Sequence, residues 1–258
     1  MMSSRFGSCL SVSHALVREA AGSACADWLA GSDKMSLTWR GAIRNEVFAG
    51  RSRPPLRPDN AQQTWHSTSM SLSVKNLYAA NGVTISFELA VGQCLSISGP
   101  SGSGKSLLLR ALADLDPHTG SVAFEGIDKS QFTAPDWRRR VMYLPPSPGF
   151  WRPRLADHLL DAEPRPERVD LAPDRVSAPI SQLSTGEQQR GALIRALQRK
   201  PRVLLADEPS SALDPKTTAT VEDLLTVFLS DGGALVLVTH DADQAKRLAT
   251  DHIALGAR

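Results

Sequence analysis

Residues 94–112 read CLSISGPSGSGKSLLLRAL and carry the strongest indication of fold in the chain. A short apolar run at 94–98 leads into residues 99–106, which have the spacing G-x-x-x-x-G-K-S, and a leucine-rich segment follows. Strand, glycine-rich loop and helix in this order are typical of a phosphate-binding loop, because glycines let backbone N–H groups approach phosphate oxygens. The partial positive charge of the helix N-terminus adds to the attraction. A chance glycine and serine loop is the weaker interpretation.

The loop predicts specific contacts with a nucleoside triphosphate. Lys105 would contact the β- and γ-phosphates and belongs to the predicted catalytic set, while Ser106 would ligate Mg²⁺. The predicted nucleotide-binding residues of the loop are Gly99, Pro100, Ser101, Gly102, Ser103, Gly104, Lys105 and Ser106.

A second motif, RVLLADEP at 202–209, ends an apolar strand in two carboxylates. Asp207 at the strand end can hold Mg²⁺ through water, and Glu208 can act as the general base towards an attacking water. Ligands of α/β proteins bind at the carboxyl ends of the strands, which is where both acids lie. The alternative is a solvated acidic turn, which is less suited to a chain that also carries Lys105.

Five motifs in one order resemble the ABC ATPase family. They are the loop at 99–106, LSTGEQQR at 183–190, Asp207 with Glu208, SALD at 211–214 and THD at 239–241. The resemblance covers about residues 72–255. It implies an α/β fold, namely a P-loop NTPase of the ABC ATPase type with a RecA-like mixed sheet and a shortened helical subdomain.

The resemblance also implies a mechanism with ATP and Mg²⁺ as cofactors. The signature residues would complete the site of a partner subunit in a head-to-tail homodimer that sandwiches two ATP molecules; they are Ser184, Thr185, Gly186 and Glu187. His240 would hold the γ-phosphate and the attacking water. The expected role is that of an ATP-hydrolysing subunit, peripheral on the cytoplasmic face of the inner membrane, energising a separate membrane permease.

The sequence departs from the family pattern at several places. The family has a glutamine after the strand equivalent to 141–144, where this chain has Pro145 and Pro146, which puts the rate and coupling of hydrolysis in doubt. Thr185 and Glu187 replace usual signature residues, and Glu187 can cap the helix but brings negative charge towards phosphate. Tyr78 is expected in a shortened loop. It is either the aromatic residue that stacks on adenine or a structural loop residue.

The segment from 146 to 183 is short for the helical subdomain and rich in proline, which limits long helices. One short helix is expected near 154–160. Phe150 and Trp151 are predicted either to contact the membrane partner or to pack inside the subdomain. The stretch 137–145 leading into 183–190 is similar to small bacterial exporter-type ATPases, including an iron-export type.

Residues 1–69 differ in character from the domain predicted at 70–258. This extension contains the Pro/Arg-rich stretch RSRPPLRP at 51–58 and is expected to be poorly ordered. It is either a targeting segment or a stretch upstream of a true start at Met70. The second interpretation is preferred, because the extension lacks an apolar signal core and carries acidic residues that transit peptides mostly lack.

Composition narrows the class further. The chain has 258 residues and a net charge of +2, too small to indicate a nucleic-acid partner. Three cysteines lie far apart without a metal-ligand spacing and are interpreted as free thiols in a reducing compartment. Apolar runs are short, so a role at a membrane requires docking on a separate membrane subunit.

Strand-like and helical segments alternate from residue 72, which favours a mostly parallel sheet with helices on both faces. Predicted strands are 72–74, 83–89, 94–98, 121–124, 141–144, 203–206, 234–238 and 252–255. Predicted helices follow Lys105 and span 187–199, 216–230 and 242–249.

Other functions remain open. A degenerate, slowly hydrolysing nucleotide-binding subunit is favoured by the missing glutamine and opposed by Glu208 and His240. A soluble ABC protein outside transport usually has two cassettes or a long coiled-coil insertion, and this chain has one cassette and a short insert. A P-loop kinase would have no use for residues 183–188.

Overall fold

The computed structural model describes residues 70–79 and 82–256, and the extension predicted at 1–69 lies outside the described residues. The strands are β1 (Met70–Ala79), β2 (Thr84–Ala90), β3 (Cys94–Ser98), β4 (His118–Phe124), β5 (Ile127–Asp128), β6 (Val141–Leu144), β7 (Val203–Asp207), β8 (Ala234–Val238) and β9 (Asp251–Ala254). The α-helices are α1 (Lys105–Leu112), α2 (Ala134–Arg140), α3 (Pro173–Ser177), α4 (Thr185–Leu197), α5 (Pro215–Ser230) and α6 (Ala242–Leu248).

A five-stranded parallel sheet in the order β6-β7-β8-β3-β9 forms the centre of this region. Its register pairs Leu144 with Ala206, Asp207 with Val238 and Ile97 with Val238. Because all five strands run in one direction, their carboxyl ends meet at one edge. The loops that leave this edge are those that carry the sequence motifs.

Alternating side chains of the parallel strands enter two separate cores, as the two-residue period of a strand requires. On β7, Val203 and Leu205 join the core that contains α1, while Leu204 and Ala206 join the core that contains α4 and α5. Every residue of β7 and β8 is buried. Helices therefore cover both faces of this sheet, as predicted, and α1 and α4 lie on opposite faces.

A second, antiparallel sheet has the order β2-β1-β4-β5 and is separate from the parallel one. In it Leu72 of β1 faces Leu89 of β2 on one side and Phe124 of β4 on the other. The alternation of strands and helices had favoured one mostly parallel sheet. The difference arises because the connection from β1 to β2 is short, and a parallel pair needs a crossover of a dozen or more residues.

Residues 146–183 contain little regular structure besides α3. Short 3₁₀ turns lie at Ala156–His158, Pro166–Val169 and Ile180–Gln182, and the first takes the place of the helix expected near 154–160. The segment is anchored by Leu155, Val169 and Leu171, which are buried in the core of α4. Because proline removes a backbone donor and blocks helix continuation, the segment packs through single side chains rather than long helices.

Within residues 70–79 and 82–256, no helix is both long enough and apolar enough to cross a lipid bilayer.

Candidate functional site

The loop at 99–106 lies between β3 and α1, and its glycines have conformations that other residues resist. Gly99 has φ 154°, and a Cβ there would lie 2.8 Å from the carbonyl oxygen of Leu255. Gly102 and Gly104 have φ 80° and 90°, the left-handed region that glycine enters without strain. Gly104 directly precedes the first turn of α1. The glycine spacing in the sequence is thus required by the backbone path.

Lys105 is folded back over this loop. Its Nζ donates to the carbonyl oxygens of Gly99 at 2.8 Å and Pro100 at 3.1 Å, and the side chain is buried. Ser103 Oγ is buried and has no hydrogen-bond partner among the described residues. A phosphate oxygen would supply the missing partner. The loop thus offers an ammonium group, an unsatisfied hydroxyl and a helix N-terminus to an anion.

The acidic pair lies at the end of β7. Asp207 is 1% exposed, and its Oδ2 accepts a hydrogen bond from the hydroxyl of Tyr143 on β6 at 3.0 Å. Burial, and then the charge of Asp207, raise the pKa of Tyr143, which therefore stays a neutral donor. Tyr143 was not among the predicted site residues. This contact fixes the orientation of the carboxylate.

Glu208, the second residue of the acidic pair, is in contact with His240. His240 Nε2 lies 3.1 Å from Glu208 Oε1. Glu208 has φ 51°, a strained backbone conformation for a residue with a side chain, and its N–H donates to the carbonyl oxygen of Val238 on β8. The strained turn brings the carboxylate to the loop that follows β8. Among the predicted catalytic residues, these two are therefore brought into direct contact.

Pro146 stands where the family has a glutamine, and it offers only its backbone carbonyl as a polar group. The carbonyl oxygen of Pro146 accepts a hydrogen bond from Gln189 Nε2 of α4 at 3.0 Å. The same Nε2 lies 3.3 Å from Ser211 Oγ, which donates to the carbonyl oxygen of Glu208. Gln189 is buried, and its Oε1 has no partner among the described residues. This side chain connects three segments around the site, and it was not among the predicted site residues.

The signature begins α4 with a capping box. Ser184 Oγ accepts from the N–H of Glu187, and Glu187 Oε2 accepts from the N–H of Ser184 at 2.7 Å. The expected capping by Glu187 is therefore present. Gly186 lies against the loop after Glu208, since a Cβ on Gly186 would lie 2.9 Å from Leu213 Cδ2. The first turn of α4 therefore packs closely against this loop.

The charge of Glu187 is offset within the chain. Arg175 of α3 donates through Nε to Oε1 at 2.6 Å and through Nη2 to Oε2 at 2.8 Å. Hydrogen bonding to Arg175, followed by that to Ser184, lowers the pKa of Glu187 to about 2. Glu187 is thus an ionised carboxylate inside a bidentate ion pair, rather than a free negative charge beside the helix start.

Tyr78 does not lie in a loop. It is part of β1, opposite Thr84 of β2 and Thr119 of β4, and its side chain is 45% exposed. The expectation of a loop residue was wrong because β1 continues to Ala79. The exposed ring remains a candidate for stacking on a base, a role that nothing in the geometry assigns to it.

A buried polar network supports the loops around Glu208 and His240. Gln244 of α6 is 0% exposed, and its Nε2 donates to Ser210 Oγ at 2.8 Å and Glu222 Oε1 at 3.2 Å. Arg247 forms a bidentate pair with Glu222 at 2.7 Å. A cavity of about 830 Å³ is lined by Ser210, Glu222 and Arg247 of this network and also by Glu208 and His240. The motifs gave no signal for this network.

A glycine-rich loop between a parallel strand and a helix, with two acids at the end of a nearby strand, defines a P-loop nucleotide-binding protein. A sequence model of the ABC transporter family matches residues 83–211. The chain belongs to this family and is an ATP-binding subunit of the ABC transporter type and an ATP hydrolase.

Two relatives and one solved structure illustrate the similarity. "Probable iron export ATP-binding protein FetA" of Escherichia coli (strain K12) is 37% identical over an alignment of 175 residues that covers 62% of this chain and 78% of FetA. "Protein STAR1" of Oryza sativa subsp. japonica is 37% identical over an alignment of 180 residues that covers 64% of this chain but only 52% of STAR1. A structure described as an ATP binding subunit of an ABC transporter matches with TM-score 0.62 and 24% identity, covering 72% of this chain and 85% of that one. It supports the fold.

Proposed function

We propose that the domain at residues 70–258 is the ATP-hydrolysing subunit of a transport system and drives a separate membrane permease by ATP-dependent head-to-tail homodimerisation. The observation that carries this proposal is the contact of Glu208 with His240. It lies at the same edge of the sheet from which the phosphate loop starts. A carboxylate suited to water activation and an imidazole suited to contact with the γ-phosphate lie side by side there, which supports the proposal. The proposed location is the cytoplasmic face of the inner membrane.

In the proposed reaction, Lys105 and residues 99–106 hold the β- and γ-phosphates of ATP. Glu208 accepts a proton from the attacking water, and His240 holds the water and the γ-phosphate in line. His240 Nε2 lies 3.1 Å from Glu208 Oε1, and in this role the imidazole turns from the carboxylate towards the γ-phosphate.

The residues fit a Mg²⁺ ion. The hydroxyl of Ser106 and the carboxylate of Asp207 are hard oxygen donors, the ligand type that Mg²⁺ prefers. Tyr143 holds Oδ2 of Asp207 by one hydrogen bond. Mg²⁺ would neutralise charge on the phosphate oxygens. Ser106 and Asp207 are the residues that would hold it.

Dimerisation is proposed because one chain holds the two halves of the site on opposite sides. The phosphate loop begins α1 and the signature begins α4, and these helices pack on opposite faces of the parallel sheet. A two-fold axis would bring the signature of one subunit onto the phosphate loop of the other. Ser184, Thr185, Gly186 and Glu187 are the residues proposed to contact the partner's nucleotide.

Trp151 is proposed to contact the permease. Its side chain is 70% exposed, whereas Phe150 is partly buried against the core of α4. The guanidinium of Arg195 lies 4.8 Å from the ring centre of Phe150 and 5.1 Å from that of Trp151. The stacked arginine holds the rings in place, so an exposed tryptophan is presented on a fixed support. Phe150 packs against the core of α4 and also stacks on Arg195.

A slowly hydrolysing, mainly structural subunit is the second candidate. It is favoured by the backbone of Pro146 at the place where the family has a glutamine side chain. The two candidates share ATP binding and differ in turnover.

The test compares the full chain with its Glu208→Gln variant. We expect ATP turnover in the parent and its loss by at least about a hundredfold in the variant, as removal of a general base predicts. Size-exclusion chromatography in ATP and Mg²⁺ should show the variant as a dimer. A parent without turnover but with an ATP-dependent dimer would favour the structural candidate. Absence of both would refute the proposed mechanism.

A further inference from the structure

We propose that Arg175 is a positioning residue of the signature: it neutralises Glu187 and thereby lets a helix start that carries a carboxylate receive the partner subunit's γ-phosphate. The inference rests on the proposed function, because it concerns the dimeric ATP site. Arg175 lies outside all five sequence motifs.

The geometry is that of a paired and oriented carboxylate. Both oxygens of Glu187 are bound by the guanidinium of Arg175, and Oε2 is also bound by the N–H of Ser184. The arrangement is a two-point contact between planar groups, which fixes orientation as well as charge. The Glu187 side chain is 15% exposed and that of Arg175 36%, so solvent screens the pair only partly.

The location of the pair gives it a function beyond helix capping. The first turn of α4 presents N–H groups and a partial positive charge, which favour an anion. A free carboxylate at Glu187 would compete with a phosphate for the same positive end and repel it. Pairing with Arg175 offsets the negative charge of Glu187. The partial positive charge of the helix N-terminus then remains available to an anion. The signature can then act on phosphate although it has a glutamate in place of the glutamine.

Arg175 also ties the signature to the proline-rich segment. Its Nη2 donates to the carbonyl oxygen of Gln182 at 2.8 Å, just before the capping residue Ser184. Arg175 belongs to α3, and Gln182 ends the short turn Ile180–Gln182. One side chain therefore sets both the charge at the helix start and the path of the chain into it.

The test is a charge cycle in the full chain with Glu208→Gln as background, so that ATP is bound but not consumed. The measured quantity is the ATP concentration that gives half-maximal dimer in analytical ultracentrifugation with Mg²⁺. We expect Arg175→Gln to raise it by about tenfold or more, the effect of one lost charged hydrogen-bond pair. Glu187→Gln serves as the reference for the double variant, since it removes the carboxylate itself while glutamine still caps the helix.

The double variant Arg175→Gln with Glu187→Gln carries the decisive result. If Arg175 acts by neutralising Glu187, Arg175→Gln should have little further effect once the carboxylate is gone, and the double variant should dimerise nearly as Glu187→Gln alone does. A purely structural role of Arg175 would impair the double variant relative to Glu187→Gln. Binding of a fluorescent ATP analogue to the dilute monomer should be the same in all variants, because the signature acts on the partner's nucleotide.

A matched control is Arg165→Gln, which removes an exposed ion pair with Asp161 in the same proline-rich segment. It should not change dimerisation, since exposed pairs contribute little. Normal dimerisation of the Arg175→Gln variant, or a double variant impaired relative to Glu187→Gln, would overturn the inference and leave the proposed function standing. A background chain that never dimerises with ATP would refute the proposed function itself, and the inference with it.

Discussion

Gln189 Nε2 lies 3.0 Å from the carbonyl oxygen of Pro146, so the signature helix is hydrogen-bonded to the turn where the ABC ATPase pattern places a glutamine. Through Ser211, the same side chain is connected to the backbone of Glu208. The connection between these segments is thus made from α4 rather than from the turn after β6.

Replacing Gln189 by glutamate should slow hydrolysis without weakening ATP binding. The substitution keeps the shape of the side chain but removes the amide donor and places a carboxylate near the Pro146 oxygen. We expect turnover to fall about tenfold, equivalent to about 1.4 kcal/mol, the scale of one hydrogen bond. Steady-state kinetics should show the change in kcat, with the ATP dissociation constant unaltered.

The control for this variant is Gln198→Glu, at the residue that directly follows the same helix. Gln198 is also buried, and its amide donates to the carbonyl oxygens of Ala162 and Pro164, away from the predicted site residues. It should lower thermal stability while turnover per folded molecule is kept. Equal turnover in both variants would contradict a role for Gln189 in the site.

Replacing His240 by alanine should abolish most hydrolysis. The imidazole lies beside Glu208, and loss of a group that positions the attacking water lowers the rate by about 10²–10⁴. Single-turnover measurement with radiolabelled ATP would give the rate directly.

His252→Ala is the comparison for His240→Ala. His252 lies on β9 with its ring nitrogens 2.8 Å from Ser96 Oγ and 3.1 Å from Ser98 Oγ, in contacts between neighbouring strands. Its removal should leave the turnover of the folded chain intact. A loss as large as that of His240→Ala would show that the assay reports folding instead of catalysis.

Gly191→Ala should destabilise the fold although alanine favours helices. A Cβ at Gly191 would lie 2.7 Å from both terminal carbons of Leu155, which is fully buried. Overpacking of this kind costs about 1–3 kcal/mol, more than the ~1 kcal/mol gained in helix propensity. Urea unfolding would measure the difference in free energy.

The same contact predicts that Gly191→Ala and Leu155→Ala do not add. The smaller side chain at 155 makes room for the new methyl group, so the double variant should be more stable than the two losses together predict. Strict additivity would mean that Gly191 and Leu155 are not in the contact described.

Acid should weaken the contribution of Glu187 to stability. Its pKa is lowered in the folded chain from an ordinary 4.5 to about 2, mainly by the hydrogen bonds from Arg175. The stabilisation is therefore complete above about pH 4.5 and is lost as pH falls towards about 2, since protons then bind the unfolded chain more tightly.

The measurement is the difference in unfolding free energy between the parent and Glu187→Gln as a function of pH. It should be constant from about pH 7 to 5 and should shrink steadily below that range. A difference that stays constant down to about pH 3 would contradict the lowered pKa.

Sequence patterns located the strands β3, β6 and β8 to the residue, because each is a mostly apolar run bounded by polar residues, glycine or proline. They failed on β1, which was predicted at 72–74 and spans Met70–Ala79. A register shift between Val74 and Leu77, with exposed Lys75 and Asn76 in between, breaks the alternation on which the prediction relied.

Helix α2 was missed for a related reason. It contains a proline and three arginines, and Trp137 is its only buried residue, so it has no apolar period. The helix is held by the Thr133 cap and by the indole N–H of Trp137, which donates to the carbonyl oxygen of Leu112. The burial of Trp137 and its hydrogen bond to Leu112 both depend on tertiary packing, which a local sequence pattern does not record.

The motifs supplied the predicted phosphate, acid and signature residues, and their assigned roles stay predictions. The residues that orient these side chains lie outside the motifs. Tyr143 reaches Asp207, and Arg175 reaches Glu187, only after β6 pairs with β7 and α3 packs beside α4. Such supporting contacts join residues from separate segments, and a motif describes one segment at a time.

The strand order has a consequence for biosynthesis. The phosphate loop follows β3, but the sheet neighbours of β3 are β8 and β9, which the ribosome makes long after it. Until Ala234–Val238 and Asp251–Ala254 have emerged, the loop is attached to a strand without partners, and closing such distant pairs is slow. A nascent chain therefore has no finished ATP site during most of its translation, and a messenger truncated before β8 would yield a product unable to build one.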